Sequence, residues 1–207
     1  MKSSIKLILW DFNGVTVVGD HTLTSKHFGK KHHAPWRRVY AILYTKYFNQ
    51  LALNTISEQK AWSAPLRELG WHEDWRAVRR WHLGQQRLRT TVIGYVQSLR
   101  RRGYQCVLFS KNYEPWVKYQ ERRLHFSRYF DDVLNTQKYN LPKASQKTIR
   151  FVCRRYAVKP EEIIYIDDQR INLIEAQKLG VQILHYRTFK QTRHQLTKLL
   201  LRSATPE

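Results

Sequence analysis

The apolar positions of the chain fall into short continuous runs and into stripes with helical spacing. Residues 5–10 form an apolar run that predicts a buried strand, and four later runs have the same character. These further predicted strands are residues 104–109, 131–135, 163–166 and 181–184. The segments that follow the strands repeat apolar residues every three or four positions, which predicts helices. Strands that alternate with helices of this length are typical of a doubly wound parallel sheet, so we expect an α/β fold.

The segment between the first and second predicted strands has a helical pattern in its middle. Residues 36–53 repeat apolar residues every four positions, and Ser57 and Asp74 are predicted N-caps of two further helices. We expect Pro65 to kink or divide the first of these two. Residues 21–35 are rich in His and Lys and are interpreted as a solvated basic loop.

These patterns divide the chain into a core and an insert. We predict an α/β core of residues 1–18 and 90–207, with residues 19–89 inserted after the first strand as a small all-helical cap over the ligand crevice. Apolar residues 15–18 and the turn that follows them predict a short hairpin beside the first strand.

Composition limits the class of protein. The chain has 207 residues, and 42% are hydrophobic, which is enough for a substantial core and argues against wholesale disorder. Cys106 and Cys153 are too few for a disulfide framework and lack metal-ligand spacing, so we expect free thiols in a reducing compartment. No apolar run approaches the roughly 20 residues of a transmembrane helix, and the first strand begins too early for a signal peptide. We therefore expect a cytoplasmic protein without a membrane partner.

The formal net charge of +21 sets the chain apart, because 37 Lys and Arg residues outnumber 16 acidic ones along its whole length. A field of this sign attracts polyanions and phosphorylated small molecules alike. The motifs of dedicated nucleic-acid modules are absent from the sequence. A small phosphorylated partner is therefore favoured over nucleic acid.

Polar residues follow three of the predicted strands, namely Asp11, Ser110 and the pair Asp167-Asp168, and Lys143 begins a predicted helix. Carboxyl ends of parallel strands meet at one edge of a sheet, so we expect these groups to lie together. Three carboxylates repel unless a divalent cation neutralises them, and oxygen ligands favour Mg²⁺. A lysine and a hydroxyl beside them could hold a phosphoryl group while an aspartate attacks phosphorus. Alone, each residue could instead have an ordinary capping or solvated role.

In order and spacing these residues resemble the four motifs of the haloacid dehalogenase (HAD)-like hydrolase superfamily. The run Asp11-Phe12-Asn13-Gly14-Val15 resembles its first motif, usually Asp-x-Asp-Gly-Thr/Val. Ser110 resembles the second motif, Lys143 the third, and Asp167-Asp168 the fourth. A helical insert after the first motif is similar to the subfamily with a small α-helical cap, and the resemblance covers nearly the whole chain.

The resemblance implies a Rossmann-like core and a Mg²⁺-dependent phosphatase, a phosphoric monoester hydrolase acting on a small phosphorylated metabolite. Asp11 would be the nucleophile, forming an aspartyl-phosphate, and a magnesium ligand. The backbone carbonyl of Asn13 and the side chain of Asp168 would be further ligands, with Asp167 supporting them.

The resemblance also implies how the phosphoryl group is held. Ser110 and Lys143 would bind its oxygens, and Lys143 would offset the charge of Asp11.

Asn13 departs from the family pattern, because phosphatases of this family have an aspartate there that protonates the leaving group. General acid–base help is worth about 10²- to 10⁴-fold, so we expect slow hydrolysis of alkyl esters and less effect on aryl or acyl phosphates. Possible replacement acids in the cap are Asp20, His21, His32 and His33. Family dehalogenases carry an aromatic residue at this position, so dehalogenation is not favoured.

Two alternatives follow from these departures and from the charge. The first is a weakly active or inactive family member that binds a phosphorylated ligand, and the second is a nucleic-acid-associated phosphatase. Lys111 stands where many relatives have Asn and adds a positive charge near the site.

Overall fold

Seven strands form two sheets in the computed structural model, which describes residues 5–204. In chain order the strands are β1 (Leu7–Asp11), β2 (Val17–Val18), β3 (Arg87–Leu88), β4 (Gln105–Ser110), β5 (Asp132–Asn135), β6 (Ile163–Asp167) and β7 (Gln182–His185). The five longer strands form one parallel sheet in the order β5-β4-β1-β6-β7. The predicted doubly wound α/β fold is confirmed.

Ten α-helices surround the strands. They are α1 (His21–Lys31), α2 (Trp36–Tyr40), α3 (Asn49–Ala52), α4 (Glu58–Glu68), α5 (Trp75–Gly84), α6 (Thr90–Arg101), α7 (Glu114–Leu124), α8 (Gln146–Tyr156), α9 (Arg170–Lys178) and α10 (Phe189–Ala204). A π-helical segment, Ala41–Phe48, joins α2 to α3. Short 3₁₀ turns lie at Ser127–Tyr129, Thr136–Tyr139 and Pro160–Glu162.

The central strand β1 is buried along its whole length because helices cover both faces of the sheet. Ile8 and Trp10 pack into the apolar cluster on one face, and Leu7 and Leu9 pack into the cluster on the other. A strand covered on both faces has no solvent side, which explains the continuous apolar run in place of an alternating pattern.

The inserted segment has a core of its own. Its apolar side chains surround Trp62, and Trp116 of α7 packs against them from the α/β side. The two crossings between insert and sheet are tied together by the antiparallel pair of β2 and β3, in which Val17 lies opposite Leu88. The predicted hairpin beside β1 is therefore wrong, because β2 pairs across the whole insert. The boundaries of core and cap at residues 18/19 and 89/90 stay predictions.

The predicted basic loop over residues 21–35 is wrong, because its first part is helix α1. Asp20 caps this helix, accepting a hydrogen bond from the backbone N–H of Thr22 at 2.9 Å. The buried side of α1 consists largely of polar residues such as His21 and Thr24, so the sequence has no apolar stripe there.

The other predicted cap helices are confirmed. Ser57 and Asp74 cap α4 and α5, each accepting a hydrogen bond from a backbone N–H of the first helical turn. Helix α4 runs through Pro65 without dividing. Residues 36–52 are helical as expected, although the π-helical turn in their middle has no signature in the apolar spacing. Within residues 5–204, no helix is both long enough and apolar enough to cross a membrane.

Two buried histidines lie in the cap core. His82 Nδ1 lies 2.7 Å from Thr24 Oγ1, and Gln86 Nε2 donates to His82 Nε2 at 3.2 Å. These contacts suit the neutral ring, and burial lowers the pKa of His82 to about 3. Burial, with the neighbouring His82, also lowers the pKa of His21 well below its usual value.

Because His82 has a depressed pKa when folded, the unfolded chain takes up its proton first as pH falls below about 6.5. The free energy of unfolding should therefore drop by about 1 kcal/mol between pH 7 and pH 5.5 on account of His82 alone. Urea denaturation at both pH values, on the native chain and on His82→Gln, measures this difference. Equal pH dependence in the two proteins would contradict the assignment.

Candidate active site

Three carboxylates meet at the carboxyl edge of the sheet. Asp11 ends β1 and Asp167 ends the neighbouring strand β6, with Trp10 paired to Ile166 one step before them. Asp168 follows directly, and one oxygen from each carboxylate lies within 4.8 Å of the others. The strand-end argument thus places these side chains as the sequence predicted.

Lys143 is the cation of this cluster. Its side chain is only 1% exposed, and its Nζ contacts Asp11 Oδ1 and lies 2.8 Å from Asp167 Oδ2. Burial alone would lower the pKa of Lys143, but the charges of Asp11 and Asp167 outweigh it, and the pKa is raised. Lys143 does not begin a helix as predicted, because α8 starts at Gln146.

The cap of α8 explains that difference. The hydroxyl of Ser145 accepts a hydrogen bond from the backbone N–H of Thr148 at 3.2 Å, so the helix is capped two residues after the lysine. Lys143 lies in the preceding turn, where its side chain can reach the strand ends.

Asp167 is held from several sides. Tyr165 donates its hydroxyl at 2.7 Å, the backbone N–H of Gln169 donates at 2.8 Å, and Asn172 Nδ2 lies 3.0 Å and 3.1 Å from the two carboxylate oxygens. Both oxygens of Asp167 thus accept hydrogen bonds, and Oδ2 also pairs with Lys143. This carboxylate is suited to positioning Lys143 and its neighbours.

Asp168 lies against the backbone of the first motif. Gly14 has φ +87°, and a Cβ at this residue would lie 2.2 Å from Asp168 Oδ2, so only glycine fits. Asp168 Oδ1 is buried and has no hydrogen-bond partner among the described residues. Burial and the charge of Asp167 raise the pKa of Asp168 to about 7. Burial and Asp167 also raise the pKa of Asp11, while Lys143 opposes that shift.

This donor set fits a magnesium ion. Its ligand atoms are oxygens, from the carboxylates and from the backbone carbonyl of Asn13, and hard divalent cations prefer oxygen. Lys143 balances one of the three negative charges, which leaves two for a divalent cation to neutralise. The partnerless Asp168 Oδ1 and the raised pKa of Asp11 and Asp168 are what a carboxylate cluster without its cation would show.

Ser110 and Asn13 are joined through a residue that sequence reasoning missed. Asn112 donates its backbone N–H to Ser110 Oγ at 3.0 Å, and its Oδ1 accepts from Asn13 Nδ2 at 3.1 Å. Asn135, at the end of β5, donates to the backbone carbonyl of Asn112 at 2.8 Å. The strand-end rule would have indicated Asn135, whereas Asn112 has no signal in the sequence.

The cap meets the site through the π-helical segment and α3. Gln169 Nε2 donates to the hydroxyl of Tyr44 at 2.7 Å, and Lys111 Nζ donates to Asn49 Oδ1 at 3.2 Å. A π-helical turn is often found where a helix serves a functional site. These contacts place cap side chains directly beside the carboxylate cluster.

Of the cap residues considered as replacement acids, Asp20 lies close enough to Asp168 for its charge to raise the pKa of that carboxyl. His21 lies within an aromatic cage of Tyr44, Phe48 and Trp62, and its lowered pKa leaves it no proton to donate near neutral pH. His32 is paired with Glu73 at 2.8 Å inside the cap. The neighbouring His33 is solvent-exposed, and the carboxylate of Asp20 caps α1.

The fold and the carboxylate cluster define a Rossmann-like α/β protein with an acidic site at the carboxyl edge of the sheet. The haloacid dehalogenase-like hydrolase family matches residues 71–186, more than half of the chain, and the chain belongs to this family. No curated protein matches the sequence.

Solved structures share the fold. A HAD family enzyme from Bacteroides thetaiotaomicron is 17% identical and superposes with a TM-score of 0.72 over 94% of this chain and 99% of that one. A HAD-like family hydrolase from Porphyromonas gingivalis is 23% identical, with a TM-score of 0.71 over 96% and 98%. The L-2-haloacid dehalogenase from Xanthobacter autotrophicus is 12% identical, with a TM-score of 0.68 over 94% and 83%. The Bacteroides enzyme has also been crystallised with magnesium and inorganic phosphate.

Mg²⁺ should raise the stability of this protein, because a cation held by the carboxylate cluster would bind the folded state and not the unfolded chain. At a hundred times its dissociation constant the gain is about 2.7 kcal/mol, measurable as a rise in melting temperature. Asp168→Asn should abolish the gain. Asp74→Asn, which keeps a good N-cap on the exposed start of α5, should retain it. The same Mg²⁺ response in both variants would rule out this metal site.

Proposed function

We propose that the chain is a Mg²⁺-dependent phosphatase that hydrolyses a small phosphorylated metabolite through an aspartyl-phosphate on Asp11. The observation that carries the proposal is the contact of Asp11 with Lys143 beside Asp167 and Asp168 at the carboxyl edge of the sheet. The magnesium and phosphate complex of the Bacteroides relative supports it, since that enzyme shares the fold.

Each side chain has a distinct part in this reaction. Lys143 holds one oxygen of Asp11, and the other oxygen attacks phosphorus as the bond from phosphorus to the leaving oxygen breaks. Ser110 Oγ accepts from the backbone of Asn112, so its own hydrogen is available to donate to a phosphoryl oxygen. When bound, Mg²⁺ would neutralise the carboxylates and polarise the phosphoryl group, with Asp11, Asp168 and the Asn13 carbonyl as its protein ligands. Water then attacks phosphorus, the bond from phosphorus to the Asp11 oxygen breaks, and inorganic phosphate leaves, while the proton of the water passes to solvent because Asn13 cannot accept it.

At position 13 this site lacks the acid that would protonate the leaving oxygen. The amide of Asn13 donates to Asn112 and cannot transfer a proton. Aryl and acyl phosphates, whose leaving groups need no proton, should therefore be the better substrates.

Asp11→Asn should lower the Mg²⁺-dependent hydrolysis of an aryl phosphate by about 10³-fold or more, because the amide oxygen is a poor nucleophile. Steady-state rates with p-nitrophenyl phosphate measure the effect. Asp74→Asn, a neutralised helix cap away from the site, is the matched control and should keep its activity. Unchanged turnover in Asp11→Asn would contradict the proposal that the chain hydrolyses phosphate esters through Asp11.

The second candidate is a family member that binds a phosphorylated ligand and turns it over weakly or not at all, and Asn13 is the observation that favours it. Asn13→Asp separates the two, because it restores a proton donor two residues after the nucleophile. If only the acid is missing, hydrolysis of an alkyl phosphate should rise about 10²- to 10⁴-fold and that of an aryl phosphate much less. No turnover by either protein would favour the binding role.

A further inference from the structure

Lys111 follows Ser110 at the end of β4 and extends toward the cap. Its ammonium donates to Asn49 Oδ1 at 3.2 Å and lies 5.4 Å from the centre of the Tyr44 ring. Both partners belong to the cap segment closest to the carboxylate cluster, so the side chain bridges the junction of cap and core.

This lysine lacks the anionic partner that Lys143 has. Among residues 5–204, no carboxylate lies within ion-pair distance of Lys111 Nζ, whereas Lys143 contacts two. Desolvation, followed by the charge of Lys143, lowers the pKa of Lys111, while the charges of Asp167, Asp11 and Asp168 act in the opposite sense. A partly buried cation without a counter-ion is costly unless a ligand supplies the charge.

A cavity of about 210 Å³ lies in front of this ammonium. It is lined by polar side chains and by apolar ones, but by no acidic residue: Asn49, Ala52, Leu53, Lys111, Leu141, Pro142, Lys143, Ala144, Ile171 and Asn172. Both Lys111 and Lys143 line this cavity, together with cap residues such as Asn49 and Leu53, so a ligand in it has two ammonium groups within reach.

We propose that Lys111 is a specificity-determining residue that binds a second anionic group, so that the substrate is a small phosphorylated acid. The inference rests on the proposed function, because it takes the phosphoryl group to lie at Asp11. Mg²⁺ and Lys143 would balance the three carboxylates, so the anionic groups of the substrate have Lys111 as a further cation to pair with. The apolar lining of Leu53, Leu141 and Ile171 suits a short carbon chain between the two anionic ends.

Binding of two phosphonates with the same three-carbon chain tests this without any turnover. Propylphosphonate carries a terminal methyl where 3-phosphonopropanoate carries a carboxylate, and neither can be hydrolysed at its P–C bond. We expect the Mg²⁺-loaded protein to bind the carboxylated compound about 10- to 100-fold more tightly in calorimetry, since a hydrogen bond to a charged group is worth that much. Lys111→Met should remove this preference and leave the affinity for propylphosphonate nearly unchanged.

Lys60→Met, an exposed lysine of the cap helix α4, is the matched control for lost charge and should keep the preference. Lys111→Gln, which can still hydrogen-bond to Asn49, serves as the second variant and should behave like Lys111→Met. Equal affinities for the two phosphonates, or an equal loss for both in Lys111→Met, would overturn the inference while leaving the phosphatase proposal standing. Failure of both compounds to bind would overturn the two together.

Discussion

The ion pair of Lys143 with Asp11 and Asp167 is the interaction on which the site depends. It joins the turn before α8 to the ends of two neighbouring strands, and it does so where water is almost excluded. Removing the lysine would leave buried like charges facing one another, which a folded protein tolerates poorly. The supporting hydrogen bonds from Tyr165, Asn172 and Gln169 to Asp167 are what keep this arrangement in place.

Electrostatic balance explains much of the remaining site. Burial, together with the excess of negative charge that one lysine leaves among three carboxylates, raises the pKa of Asp11 and Asp168. The neighbouring Lys111 does not relieve this excess by contact, because its ammonium is held on the cap side by Asn49. Negative charge thus lies at the strand ends and positive charge faces the cap, a polarity that would orient the substrate proposed above.

The sequence predicted the sheet and the positions of Asp11, Ser110, Asp167 and Asp168, because strand-end residues of a parallel sheet must meet. Other features depend on contacts that no local pattern reveals. Helix α1 has no apolar stripe from which the sequence could predict it. Its buried side chains are largely polar, and Thr24 hydrogen-bonds with His82. Spacing alone also does not show at which residue α8 begins. Ser145 caps this helix, so Lys143 lies in the turn before it.

The antiparallel pair of β2 and β3 has a consequence for how this architecture can change. Both passages of the chain between core and insert run through one two-residue ribbon, and Arg89 fastens its base by donating to the carbonyls of Gly14 and Val15. The pairing of β2 with β3 therefore holds the two ends of the insert side by side at the core, whatever the length of the insert. Lengthening or exchanging the helices between those ends costs little in loop-closure entropy. The carboxylate cluster can thus be kept intact while the helices between β2 and β3 are replaced as a unit.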